Sequence, residues 1–66
     1  MFRRIDYWRS VQGITKKSLA INSGIRYNTL LKKLRHKSLF TFDEAISVRT
    51  ALKSNDSIEV LFEWVA

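Results

Sequence analysis

The chain has no cysteine, no proline, only two glycines (Gly13 and Gly24) and one histidine, His36. Without cysteine there is no disulfide and no thiolate metal site. A single histidine builds no metal site by itself, so no cofactor or metal is expected. No apolar run approaches the ~18 residues that cross a bilayer. Residues Met1 to Trp8 hold no apolar stretch of signal-peptide length. These absences point to a soluble cytoplasmic protein that makes no use of a membrane. Paired acids, a nucleophile with its base and a phosphate-cradling glycine loop are also missing, which argues against an enzyme. Acidic residues are scarce, with six Asp and Glu against twelve Lys and Arg.

Apolar residues make up 45% of the 66 positions, a normal share for a folded domain. The length suits one domain, residues 1–66. A chain this short buries only about 60% of its unfolded surface, so stability rests on well-packed helices or a second subunit. The net charge is +6 and the isoelectric point about 10.2. That density favours a polyanion as partner. The charge is also polar along the chain: residues 1–37 hold ten cations and one acid, the remainder two cations and five acids. One end therefore suits nucleic acid and the other does not.

The spacing predicts an all-α bundle of about five short helices. The first runs from about Phe2 to Gln12, with Ile5, Trp8 and Val11 in one apolar row, and Gly13 stops it. Thr15 caps a second over Lys16 to Ser23, with Leu19 and Ala20 inward and Gly24 at its end. A third spans about Arg26 to His36, with Leu30 and Leu34 four apart and Leu31 beside them. Lys32, Lys33, Arg35 and Lys37 are expected on its remaining surface. Thr41 and Glu44 form a capping box for a fourth helix that reaches about Lys53, and Phe40 with Ala45 forms a weak staple. The tail from Asp56 reads two ways. Ile58, Val60, Phe62 and Trp64 alternate as in a strand. Ile58, Leu61, Phe62 and Val65 follow helical spacing, and Asp56 with Glu59 makes a second capping box. The reading favours a helix. Trp8 and Phe62 are read as core, His36 as a surface residue or phosphate contact, and Trp64 as exposed unless a partner covers it.

The segment from Ile14 to Leu34 carries the functional signal. Two helices that cross at a steep angle need a small residue at closest approach and a glycine in the turn. Ala20 and Gly24 meet both needs, Ile25 plugs the space between the helices, and Leu30 returns to it. Leu19, Ala20, Gly24, Ile25, Thr29 and Leu30, after Thr15, resemble the helix-turn-helix of the lambdoid phage repressor and Cro family, also called the Xre family. The resemblance extends upstream through Ile5, Trp8, Gly13 and Ile14, and downstream to Phe40–Ile46 and Leu61–Phe62. Two features depart from it. The recognition helix of the family often ends in Glu-Asn-Gly, whereas Leu34, Arg35 and His36 stand here. Leu34 also replaces a frequent acid, so the family's ion pair with Arg9 is expected to be absent.

The resemblance implies a lambda-repressor-like fold and a third helix lying in the major groove of double-stranded DNA. It places base contacts at Arg26, Tyr27, Asn28 and Lys32. Their chemistry suits the role, since Arg pairs bidentately with guanine and Asn with adenine. Backbone contacts are expected from Lys16, Lys17, Thr29, Arg35, Lys37 and Ser38; the first two open a helix whose positive end favours phosphate. Relatives bind near-palindromic sites as dimers. The cation-poor tail, residues 56–66, is the candidate dimerisation segment, through Val60, Leu61, Phe62, Trp64 and Val65. The expected function is a Cro-like transcriptional repressor of phage or prophage type in a bacterial host's nucleoid, with no small-molecule effector. The alternative is an antitoxin or accessory interaction module that binds DNA secondarily.

Overall fold

The computed structural model describes residues 1–66. Five helices follow in the order α1 (Arg3–Gln12), α2 (Lys16–Ser23), α3 (Tyr27–Leu34), α4 (Phe42–Ala51) and α5 (Ile58–Leu61). No strand is present; one isolated antiparallel bridge joins Phe2 to Trp64. The protein is thus an all-α bundle, 24 × 24 × 20 Å across its Cα atoms.

Three of the five helices start on a side-chain cap, and the four longer ones share one kind of C-terminal closure. Thr15, Thr41 and Ser57 use their hydroxyls to accept from the backbone N–H groups of Ser18, Glu44 and Val60. Each removes one unpaired donor from a helix start. At Thr41 the Glu44 carboxylate returns the bond to the Thr41 N–H, completing the expected capping box. The four long helices all end in the same paired bonds. After α1, the Gly13 and Ile14 N–H groups reach the carbonyls of Ser10 and Arg9; after α2, those of Gly24 and Ile25 reach Ile21 and Ala20. This closure needs a left-handed residue at its centre. Gly13 and Gly24 supply it with φ of 65° and 72°. No glycine stands at the corresponding point of α3 or α4. His36 and Lys53 adopt positive φ instead, 62° and 53°.

The core is built from Phe2, Ile5, Leu19, Ala20, Ile25, Leu30, Val48, Leu52 and Leu61, one or two residues from each element. α2 packs on both α3 and α4, and α5 closes against α1 and α4. The small Ala20 is 3% exposed at the centre of α2, and Ile25 seals the turn, as its position after Gly24 requires. Trp8, Ile14, Leu34, Phe40 and Phe62 pack around this centre.

Three expectations are corrected. Val11 is 57% exposed and does not continue the row of Ile5 and Trp8. Steps of three residues fall about 60° short of a full turn, so by the second step the row has rotated off the buried face. The tail divides between its two periodicities. Ile58–Leu61 forms one helical turn, and the chain then extends so that Trp64 bridges Phe2 and the Val65 N–H donates to the Met1 carbonyl at 2.9 Å. Asp56 forms no capping box with Glu59, because Ser57 is the cap. The Asp56 carboxylate instead accepts from Arg4 Nε at 2.8 Å and Trp8 Nε1 at 2.9 Å, and its carbonyl accepts from Arg49 Nε. Asp56 thereby ties α1 to the junction of α4 and α5.

Candidate functional site

The outer surface of α3 and the start of α2 form the candidate site. The turn Gly24–Arg26 brings the chain from α2 into α3, and Ile25 anchors it. Leu30, Lys33 and Leu34 turn α3 inward. Arg26, Tyr27, Asn28, Thr29 and Lys32 are all exposed, the last three on the side away from Leu30 and the first two because they stand at the helix start. Arg26 sits at the cap position with no side-chain cap bond, so its guanidinium stays free. Asn28 and Thr29 likewise have no hydrogen-bond partner within the chain for their side chains. The first turn of α3 thus presents a guanidinium, a phenol, an amide and a hydroxyl, with Lys32 one turn further on.

Cations surround this turn. No Asp or Glu occurs between Asp6 and Asp43. Within that interval Lys16, Lys17, Arg26, Lys32, Arg35 and Lys37 are exposed, and none enters an ion pair. Lys16 and Lys17 open α2, whose first turn holds no acid and whose N–H groups carry partial positive charge. Lys16 and Arg35 line one cleft, so the start of α2 and the end of α3 meet there. Ser38, in the loop after α3, is exposed as well.

Lys33 departs from the expected surface position. It is the one charged residue among the buried set, 8% exposed. Its ammonium donates to Glu44 Oε1 and to the Leu39 carbonyl, both at 2.8 Å. Glu44 therefore serves two partners, the Thr41 N–H of the capping box and Lys33. The Lys33 ammonium first, then the Thr41 N–H, hold the Glu44 carboxyl below the usual carboxylate range. The pair locks the C-terminal half of α3 to the start of α4 and pins the loop between them. Arg9 forms no ion pair with α3, as expected beside an apolar Leu34; it reaches Asp6 at 3.6 Å and the Ile14 carbonyl at 3.2 Å.

His36 lies at the surface, as expected, whereas the tail differs from expectation. His36 is exposed, yet its ring lies 4.4 Å from that of Trp64 and meets the edge of Phe2 at 5.8 Å. Phe2 also contacts Phe40, Phe62 and Trp64 edge-on, so an aromatic cluster joins the end of α3 to the tail. The proposed dimer segment is not one apolar face. Leu61 has no exposure and belongs to the chain's own core, which removes it from the set. Phe62 and Val65 are half-buried, leaving Val60 at 48% and Trp64 at 37% as the outward members.

A more prominent apolar surface lies elsewhere. Leu39 and Phe42 are 75% and 71% exposed and flank a groove of about 400 Å³ floored by Phe2, Phe40, Ala45 and Phe62. Capping, staple and phosphate-contact readings of this stretch leave Leu39 and Phe42 unassigned, so sequence reasoning missed it. The available signal was a pair of large apolar residues on either side of Phe40–Thr41, more than a staple uses.

No group of His, Cys, Asp or Glu could hold a metal ion, and no helix is long and apolar enough to cross a membrane. Comparison with family models, with curated proteins and with solved structures returns no match.

Proposed function

We propose that the protein is a sequence-specific double-stranded DNA-binding regulator of transcription, a compact repressor that acts as a homodimer. One observation carries the reading. The free hydrogen-bonding groups of Arg26, Tyr27, Asn28 and Thr29 stand together on an exposed helix start, inside an acid-free interval with six unpaired cations. A helix of this diameter fits the major groove, where each base pair shows a distinct set of donors and acceptors. In this reading Arg26 donates two bonds to guanine and Asn28 pairs with adenine, while Tyr27 meets a thymine methyl or a phosphate. Lys32 reaches a base or the backbone. Lys16, Lys17, Thr29, Arg35, Lys37 and Ser38 hold phosphates and set the register without reading sequence.

The dimensions bear on stoichiometry. Half-sites one helical turn apart have centres separated by ~34 Å. A body with a 24 Å Cα extent is narrower than that spacing, so two copies on one face of the duplex touch only through side chains at their facing edges. The dimer contact is therefore small, and DNA supplies much of the energy that joins the copies. Occlusion of a promoter by such a dimer represses it, with cytoplasmic concentration as the control.

The experiment is selection from random duplexes with purified protein. The expected result is an inverted repeat whose half-site centres lie about 10–10.5 base pairs apart. A folded protein that enriches no sequence, while still binding duplex at low salt, would contradict the reading. The exposed groove beside Leu39 and Phe42 favours a second reading, an antitoxin or accessory module in which protein binding comes first. That reading requires sequence-selective DNA binding to appear only with a heterologous partner present.

A further inference from the structure

We propose that Lys33 and Glu44 are positioning residues for DNA binding: their buried ion pair holds the loop between α3 and α4 in the shape that sets Lys37 and Ser38 on backbone phosphates. The proposal deepens the reading above and rests on it for the identity of the partner. The loop, residues 35–41, contains no proline, so no ring fixes a φ within it. Hydrogen bonds set its shape at three points. The Lys37 N–H donates to the Lys32 carbonyl at 2.9 Å. The Leu39 carbonyl accepts from the Lys33 ammonium at 2.8 Å. The Thr41 N–H donates to Glu44 Oε1, the same oxygen that holds Lys33. Ser38 lies between the first two points and forms no hydrogen bond within the chain. The Leu39 side chain is largely exposed and anchors nothing. Between Lys37 and the half-buried Phe40, the Lys33 ammonium is therefore the one hydrogen-bonded tie on the loop.

Stability alone does not call for a charge at this position. An apolar residue of similar volume fills such a site as well, because desolvation of a buried pair offsets its attraction. An apolar residue does not donate to a carbonyl. The ammonium does, and with Lys33 only 8% exposed that donor is shielded from competing water. Glu44, which α4 carries in its first turn, keeps the ammonium in place. A loop shaped beforehand meets phosphate without an ordering cost. Fixing the backbone of one residue on binding weakens affinity by about five- to thirtyfold, and the tie governs two, Lys37 and Ser38. Neither Lys33 nor Glu44 touches phosphate, so opening the clamp lowers affinity and leaves its salt dependence as it was.

Titrations of a duplex of unrelated sequence at low salt test the proposal, since phosphate contacts do not read sequence. Lys33→Met makes the chain less basic by one charge. Glu44→Gln makes it more basic by one and keeps an oxygen for the Thr41 N–H. A buried ammonium without its carboxylate turns out to water, so both changes free the Leu39 carbonyl. Both are expected to weaken binding by at least about fivefold at an unchanged salt slope, although charge alone would move them in opposite directions. Ser38→Ala is expected to weaken the wild type and to add less than about twofold in Lys33→Met. Trp8→Phe removes the bond to Asp56 without changing charge, and is expected to lower stability and leave binding unchanged. Thermal melting fixes a temperature at which every variant is folded.

Glu44→Gln that binds as tightly as the wild type, or more tightly, overturns the proposal. An equal loss in Trp8→Phe, or a Ser38→Ala loss of full size in Lys33→Met, overturns it too. A wild type that binds no duplex removes the DNA reading and the proposal together. A wild type that binds while both clamp variants match it removes the proposal alone.

Discussion

Lys32 and Lys33 are adjacent, identical in chemistry and opposite in expected role. Replacing each with Met removes one charge and keeps the apolar stem. At Lys33 the change removes two charge-assisted bonds of 2.8 Å from a side chain that is 10% exposed. Hydrogen bonds to charged groups contribute about 1.5–3 kcal/mol each, while loss of one partner from a fully buried pair costs ~3–5 kcal/mol. Glu44 keeps its Thr41 bond and is 27% exposed, so it regains water when Lys33 is gone. The expected loss is therefore near the low end, about 2 kcal/mol. For a chain of 66 residues, whose total stability is roughly 3–10 kcal/mol, this lowers the melting midpoint by about 8–16 °C. Lys32→Met, at an exposed position with no partner, is expected to change stability by less than about 0.5 kcal/mol. On DNA the order reverses. Lys32→Met lowers the slope of log affinity against log salt by about 1, whereas Lys33→Met leaves that slope unchanged. Urea titrations and salt-dependent binding isotherms on both variants read the two effects separately. Equal destabilisation by the two changes, or a reduced salt slope in Lys33→Met, would refute the reasoning.

Three further outcomes follow from the structure. Lys53→Gly relieves a left-handed residue whose strain is ~1–2 kcal/mol, against a glycine entropy penalty of about 0.5–1 kcal/mol, so a net gain of roughly 0.5 kcal/mol is expected in urea unfolding. His36→Gly relieves the same strain but loses the ring contacts with Trp64 and Phe2, and is expected to show no gain. Acid weakens the fold through two carboxylates. Asp56 is held below its usual range by the Arg4 guanidinium and then Trp8, and Glu44 by Lys33 and then Thr41. Both values are depressed on folding, so their contribution is complete at neutral pH and is lost as pH falls below the ordinary carboxylate range. Urea midpoints measured from pH 7 downward are expected to stay level with respect to these groups and then drop, with a smaller drop in Asp56→Asn; a rise in stability on acidification contradicts this.

The sequence made the helices legible because their ends are written in short-range chemistry. Thr15, Thr41, Gly13 and Gly24 each do their work within four residues, and each stands where capping rules place it. The inward set around Leu19, Ala20, Ile25 and Leu30 was legible for a similar reason, since one turn and two periodic stretches determine it. Long-range partners were not legible. Nothing local distinguishes Lys33 from Lys32; the difference is Glu44, eleven residues away across a loop. Asp56 reads as a cap until Arg4 and Trp8 arrive from the other end of the chain. The tail carries two superimposed periods and realises both, one helical turn followed by an extended stretch in which Trp64 pairs with Phe2 from the other end of the chain. Among the candidate site residues, exposure of Asn28, Thr29 and Lys32 follows from the burial of Leu30 and that of Arg26 and Tyr27 from their place at the helix start, whereas the burial of Leu61 is set by core neighbours on other elements.

Asn28 provides the most direct measurement of whether the start of α3 reads bases. It is uncharged, exposed and free of partners within the chain, so Asn28→Ala alters neither fold nor phosphate attraction. On the duplex that selection enriches, Asn28→Ala is expected to weaken binding by about 1–3 kcal/mol, with the salt slope and the affinity for unrelated duplex unchanged. Wild-type affinity of the variant for that duplex would show that sequence is read elsewhere, and the placement of this helix in the major groove would fall with it.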